Sequence, residues 1–535
     1  MTTLTSSLWP ADTSEPVLPL TVGDLLRAGA DESPDAVALV SVAPDRAPRT
    51  WTYAELLEDA EHAAAWLLDR FEPGEHVVVW APNVPEWLVL QYGAALSGLV
   101  LVTANPALRG EELRYLIDAS RASGVFHVAD FRGTDMASIL GEVAPQVPAV
   151  RHVVDLAGWL EQTRAVPRRP ELPAVDPHGP TQIQFTSGTT GRPKAAVLKH
   201  AAMVNNALYV RQRCGAERGA TFATALPLFH TAGCGLAAMG TFGEGGTLVL
   251  GELFEPGLLL TAVEQHRARV LGGVPAMLHA MLAHPRLAEF DLSSLDVIMS
   301  GGDLVPPAIV DRWREVCGAA SSAVYGQTEL SPIVCQTRPD DARDDNLYTA
   351  GQPLPNVEVA ILDPQTRAVL PVGEEGEICA RGYQTMLEYL DRPDATAQAI
   401  DVDGWLHTGD LGRMDERGYV TVTGRIKDLI IRGGENIYPR EIEDQLVRHP
   451  SVASAIVIGL RDEAWGESVA AVVQLADGAP RPTAEELHAF LRERLAPHKT
   501  PKAWHVATDL PTNAMGKLQK FRLREQIEAG TLPAL

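Results

Sequence analysis

The chain has 535 residues, 46% apolar and 21% charged, which excludes disulfide miniproteins, collagen-like fibres and disordered tails. Its 45 basic and 69 acidic residues leave a net charge of −24, so most of its surface would repel nucleic acid and anionic lipid. A local basic pocket for one anionic ligand is still allowed.

In chain order, residues 1–16 lack the cationic and apolar regions of a signal peptide. Cys214, Cys234, Cys317, Cys335 and Cys379 include no CxxC pair and read as free thiols of a reducing compartment, so a cytoplasmic setting is expected. Residues 53–70 carry Leu56, Leu57, Ala60, Ala63, Ala64, Leu67 and Leu68 on one face, which predicts a helix. Residues 75–81 follow as a strand, 111–120 as a helix and 124–129 as a strand. Residues 87–104 hold no charge, but Gln91, Gly93, Ser97 and Gly98 interrupt them, so a buried helix and a buried strand are expected rather than a membrane span. This alternation predicts an α/β fold, with mostly parallel sheets flanked by helices over residues 1–425. A Pro-rich connector, residues 167–180, precedes the most unusual segment.

Residues 426–535 read as a separate small α+β domain. Residues 440–448 form a helix behind Pro439, 452–460 and 469–475 are strands, and 483–495 is a helix with a capping box of Thr483 and Glu486.

The chemistry is concentrated in a few motifs. Residues 185–194 read FTSGTTGRPK. Gly188 and Gly191 allow a backbone whose N–H groups converge. The hydroxyls of Thr186, Ser187, Thr189 and Thr190 add donors and Lys194 adds a cation. Together they suit a polyphosphate, although the Walker A spacing is absent. Residues 325–329 read YGQTE. In Tyr325, Gly326, Gln327, Thr328 and Glu329, an aromatic ring able to stack on adenine, a hydroxyl for the α-phosphate and a carboxylate for Mg²⁺ lie within five residues. In WLHTGD, Asp410 follows a Gly turn and suits two ribose hydroxyls, and Arg425 in GRIKD suits ribose or phosphate.

With these motifs the chain resembles the AMP-forming acyl-CoA synthetases of the adenylate-forming superfamily, from about residue 20 to about residue 525. GYQTMLEYLDRPDAT, DGWLHTGDLGRMDERGY and GRIKDLIIRGGENIYPREIE are most similar to medium-chain fatty acyl-CoA synthetases. The resemblance implies a large N-terminal domain, a small mobile C-terminal domain rotating about Lys427, and ATP, Mg²⁺ and coenzyme A as ligands. It implies that His230 borders the acyl channel, with Thr231, Gly233, Cys234 and Gly301 along the pocket, and that Gly302 and Asp303 adjoin the adenine. It implies that Lys517 bridges the substrate carboxylate and the α-phosphate, and that Gly434 leaves room for the pantetheine arm. Ala195, Lys199 and Asp303 depart from the usual pattern.

The expected activity is ATP-dependent ligation of a medium-chain or aryl acid to CoA through an acyl-adenylate, by a monomer or homodimer. Two readings stand beside it: an adenylating enzyme that hands its activated group, even a non-carboxylate oxyanion, to a carrier protein, amine or other nitrogen nucleophile, and a non-catalytic nucleotide-binding regulator. Intact Lys194, Glu329, Asp410, Arg425 and Lys517 argue against the latter.

Overall fold

The computed structural model describes residues 3–535 apart from 170, 187–192, 304, 433–434, 463–464, 477 and 512–517. The helix Tyr53–Leu68 starts where Thr52 and Glu55 form a reciprocal capping box. It buries Leu56, Ala60, Ala63, Ala64 and Leu67. The uncharged stretch 87–104 divides into the helix Pro85–Ser97 and the strand Val100–Ala104. No helix of the described residues is long and apolar enough to cross a membrane.

Three large sheets occupy residues up to 425. A seven-stranded sheet orders Glu388–Tyr389, Lys194–Lys199, Pro180–Thr186, Val100–Ala104, His76–Trp80, Gly124–His127 and His152–Asp155. Its last five strands are parallel and its first two join antiparallel. A nine-stranded sheet is parallel from Ala320–Gly326 through Val297–Gly301, Val270–Gly272, Phe222–Thr224 and Leu248–Gly251 to Val37–Ala43. Buried apolar strands covered by helices on both faces account for both sheets.

The two larger sheets are mostly parallel, as expected, and the third is antiparallel. Leu8–Trp9, Val357–Leu362, Gly376–Gly382, Leu406–Met414 and Val420–Arg425 pair antiparallel throughout. Between Gly376–Gly382 and Leu406–Met414 the chain forms the edge strand Glu388–Tyr389 of the seven-stranded sheet and the helix Pro393–Ala399, and antiparallel pairing on its return needs no crossover helix.

A further sheet is built from residues beyond 429: Glu435–Ile437, Ile430–Arg432, Gly466–Leu475 and Val452–Asp462, with Ala503–Val506 beside Gly466–Leu475. The helix Pro439–Leu446 opens on proline, and Ala484–Arg492 opens on the Thr483–Glu486 capping box. Ile430, Ile442, Leu446, Val457, Val469, Leu487 and Leu491 form a core drawn from this part of the chain alone.

Candidate active site

The antiparallel register of Pro180–Thr186 with Lys194–Lys199 puts Thr186 opposite Lys194. The two ends of the Gly-, Ser- and Thr-rich segment are therefore held side by side. Thr186 Oγ1 donates to Glu329 Oε1 at 3.1 Å. Tyr389 donates its hydroxyl to the same oxygen at 2.7 Å, and Lys194 Nζ lies 4.8 Å from the Tyr389 ring centroid. Burial and the Glu329 charge push the Tyr389 hydroxyl well above its ordinary value, which keeps it a donor.

Glu329 and Thr328 sit, both buried, in the single turn Thr328–Leu330, behind Gln327 in extended backbone. Gly326 precedes them where a Cβ would collide with the Pro332 carbonyl and come within 2.8 Å of Ile333 Cα. Only glycine allows that approach. Met386 N donates to the Glu329 carbonyl at 2.9 Å, which ties the segment carrying Tyr389 to the turn carrying Glu329.

The second cluster lies across Tyr325. Its hydroxyl donates to Asp410 Oδ2 at 2.9 Å, and Arg425 Nε meets Asp410 Oδ1 at 2.9 Å. Asp410 and Arg425 are direct partners of adjacent strands. Burial and the Asp410 charge raise the Tyr325 phenol far above its ordinary value. Lys427 follows in the turn Ile426–Asp428, where burial and Arg425 lower its ammonium.

Toward the expected acyl side, His230 Nδ1 accepts from Ala232 N at 3.2 Å, and Ala232–Met239 is π-helical, a form frequent at functional sites. His230 and Gly301 are half-buried, whereas Thr231, Gly233 and Cys234 are enclosed by protein. Thr231 N donates to Gln184 Oε1 at 3.3 Å. A Cβ on Gly233 would press on the Leu226 and Pro227 carbonyls. Cys234 Sγ accepts from Gln182 Nε2 at 3.3 Å, and burial pushes its thiol up to about 12. Gly301 ends the strand Val297–Gly301 against Val324, and Gly302 and Asp303 are exposed.

Thr186, Lys194, Thr328 and Glu329 thus form one cluster and Tyr325, Asp410 and Arg425 another, with Gly326 and Gln327 between them along the chain. Ser187, Gly188, Thr189, Thr190, Gly191, Gly434 and Lys517 lie outside the described residues. Three residues that sequence reasoning did not single out stand at these clusters. Tyr389 clamps Glu329, and Glu377 and His407 support the turn before Asp410.

Glu329 fits a cation site. Both hydroxyl donors address Oε1 and neither addresses Oε2, and a buried carboxylate is the hard oxygen ligand that Mg²⁺ prefers.

Two family models match the chain: AMP-binding enzyme over residues 26–390 and AMP-binding enzyme C-terminal domain over residues 441–517. YngI of Bacillus subtilis (strain 168) is 36% identical over 536 residues, which cover 95% of this chain and 97% of YngI. The mitochondrial medium-chain acyl-CoA ligase ACSF2 of Danio rerio is 34% identical, with coverage of 98% and 91%. ATP-bound MatB from Rhodopseudomonas palustris superposes with a TM-score of 0.87 at 30% identity, covering 96% of this chain and 100% of MatB.

Proposed function

The chain belongs to the AMP-binding enzyme family and is an ATP-dependent acid–CoA ligase, and we propose that its acid is a medium-chain or aryl carboxylic acid. The observation that carries the reading is the pair of clusters: a cation, hydroxyls and a buried carboxylate at one end, and a Tyr–Asp–Arg set at the other. Polyphosphate chemistry needs the first and a ribose the second.

In the first half-reaction a substrate carboxylate oxygen attacks the α-phosphorus of ATP, and the bond to the β-phosphate oxygen breaks. Acyl-adenylate and pyrophosphate result. The acid is already ionised at neutral pH, so no base is required. In the second, the CoA sulfur attacks the acyl carbon, the bond to the phosphate oxygen breaks, and AMP leaves.

Lys194 offsets charge on the phosphates, and Asp410 with Arg425 orients the nucleoside. Thr328 donates toward the α-phosphate. Thr186 and Tyr389 hold Glu329, which would ligate Mg²⁺. The ion, when bound, screens the triphosphate charge. Lys517 supplies the cation between the two approaching anions. The segment 426–535 turns about Lys427, so that Lys517 serves the first step and the Gly434 loop the second.

The acid assignment is supported by the uncharged residues Thr231, Ala232, Gly233, Cys234, Ala237 and Met239 at and after His230 and by the name of the Danio rerio relative. Each buried methylene contributes about 0.8 kcal/mol, roughly fourfold. A series of straight-chain and aromatic acids, scored for AMP formation with and without CoA, tests this. A medium-chain or aryl acid should exceed acetate by orders of magnitude in kcat/KM. Acetate as the best substrate overturns the acid assignment. CoA failing to accelerate AMP release for any acid would favour the nitrogen-nucleophile acceptor instead.

A further inference from the structure

The third sheet carries a buried polar cluster that the adenylation chemistry does not use. Cys379 and His407 are direct partners of the strands Gly376–Gly382 and Leu406–Met414, and the next pair in register is Glu377 with Leu411. The step from Cys379 to Glu377 spans two residues while the step from His407 to Leu411 spans four. Thr408, Gly409 and Asp410 therefore stand opposite Ile378 alone, a bulge with two surplus residues. Such bulges re-aim side chains beside active sites.

Two side chains fasten this bulge to the neighbouring strand. Thr408 Oγ1 donates to the Ile378 carbonyl at 2.6 Å. Gly409, in the left-handed region at φ 71°, donates its N–H to Glu377 Oε1 at 3.0 Å. The other Glu377 oxygen meets His407 Nδ1 at 2.7 Å. His407 Nε2 lies 3.3 Å from Asp401 Oδ2 and 3.0 Å from an Arg367 guanidinium nitrogen. Cys379 Sγ completes the surroundings of the ring, 3.4 Å from Nδ1.

We infer that His407 is a positioning residue for nucleotide binding: through Glu377 it fixes the Gly409 turn and so sets where Asp410 presents its carboxylate, more firmly when the ring carries a proton. The inference rests on the reading of Asp410 as the ribose ligand. Glu377 and Asp401 favour the imidazolium, burial and Arg367 oppose it, and burial keeps the Cys379 thiol neutral. The carboxylates prevail, so the ring titrates above its ordinary value. The sign follows. The extra hold is complete below the ordinary histidine range and fades as pH rises through the raised value.

AMP binding by calorimetry tests the inference without acid or acceptor. Wild type should bind AMP most tightly near pH 6 and weaken through pH 9. His407→Ala should weaken AMP binding about tenfold near pH 6, the scale of a lost bond to a charged group, while KM for the acid moves less than twofold. His407→Asn keeps a neutral donor where Nδ1 stands, so it should bind with intermediate strength and lose the pH step. Thermal melts of both variants identify a folding failure, and the Asn variant then carries the test. A wild type that does not bind AMP sinks the reading of Asp410. A wild type that binds, with either variant retaining both its affinity and its pH step, overturns the role of His407.

Discussion

The two ends of the site are held in opposite ways. Glu329 is fixed from outside its own element: Thr186 reaches it from one strand and Tyr389 from another, both at the same oxygen. Asp410 is fixed from within a single antiparallel sheet, by its register partner Arg425 and by a bulge fastened to Glu377 and Ile378, with Tyr325 arriving from a different sheet. The Glu329 cluster, the proposed phosphate end, is therefore a convergence of three chain segments, and the Asp410 cluster, the proposed nucleoside end, a feature of local strand pairing. Removing both hydroxyl donors should release Glu329 and leave the Asp410 cluster largely in shape.

The largest expected effect is at Glu329. Glu329→Gln keeps the shape and removes the charge, so stabilisation of the transferring phosphate falls by several kcal/mol. Pyrophosphate release at saturating acid should drop by roughly three orders of magnitude. A variant within tenfold of wild type would show that the carboxylate is structural.

Asp410→Ala should come next. It leaves the Arg425 guanidinium without its carboxylate and Tyr325 without its acceptor. Truncating one partner of such a pair costs about 2–5 kcal/mol. KM for ATP should rise roughly 30-fold or more, with a smaller change in kcat. Equal losses in kcat and in KM for the acid would mean that the two ends are not independent.

Much of this was legible in the sequence. FTSGTTGRPK, YGQTE, WLHTGD and GRIKD announce their chemistry through residue types at short spacing, and Thr483 and Glu486 announce a helix start. Tyr389 was not legible. An aromatic residue in a two-residue strand reads as core, and its role exists only because Glu388–Tyr389 pairs with Lys194–Lys199 and faces a turn sixty residues away. The antiparallel pairing of the third sheet is not legible in its strands for a related reason. Gly376–Gly382 is buried through its first five positions, so it lacks the alternation that marks a one-sided antiparallel strand. The bulge at Asp410 depends on register, which no single strand's pattern contains.

Tyr389→Phe sharpens the comparison at the phosphate end. It removes one hydroxyl and retains the ring that Lys194 faces. A hydrogen bond to a charged group contributes about 1.5–3 kcal/mol, so kcat/KM for ATP should fall roughly 10- to 100-fold. A loss in AMP affinity of the same size would place Tyr389 in the nucleoside end instead.

Thr186→Val should have the smallest effect. Valine keeps the β-branched shape that suits the strand and deletes only the hydroxyl at 3.1 Å from Glu329 Oε1. That contact is longer than the Tyr389 bond and less buried, so about 1 kcal/mol, or roughly fivefold in kcat/KM, is expected. Thr186→Ser should recover most of it, because the hydroxyl returns. The double variant with Tyr389→Phe is the more telling measurement. Both hydroxyls address one oxygen. While one remains, Glu329 is still oriented; once both are gone it is free to turn. The combined loss should therefore exceed the product of the single losses, the non-additivity expected of groups that share a partner. If the two losses simply multiply, Glu329 is held by its own backbone turn, and the phosphate end is as locally determined as the nucleoside end.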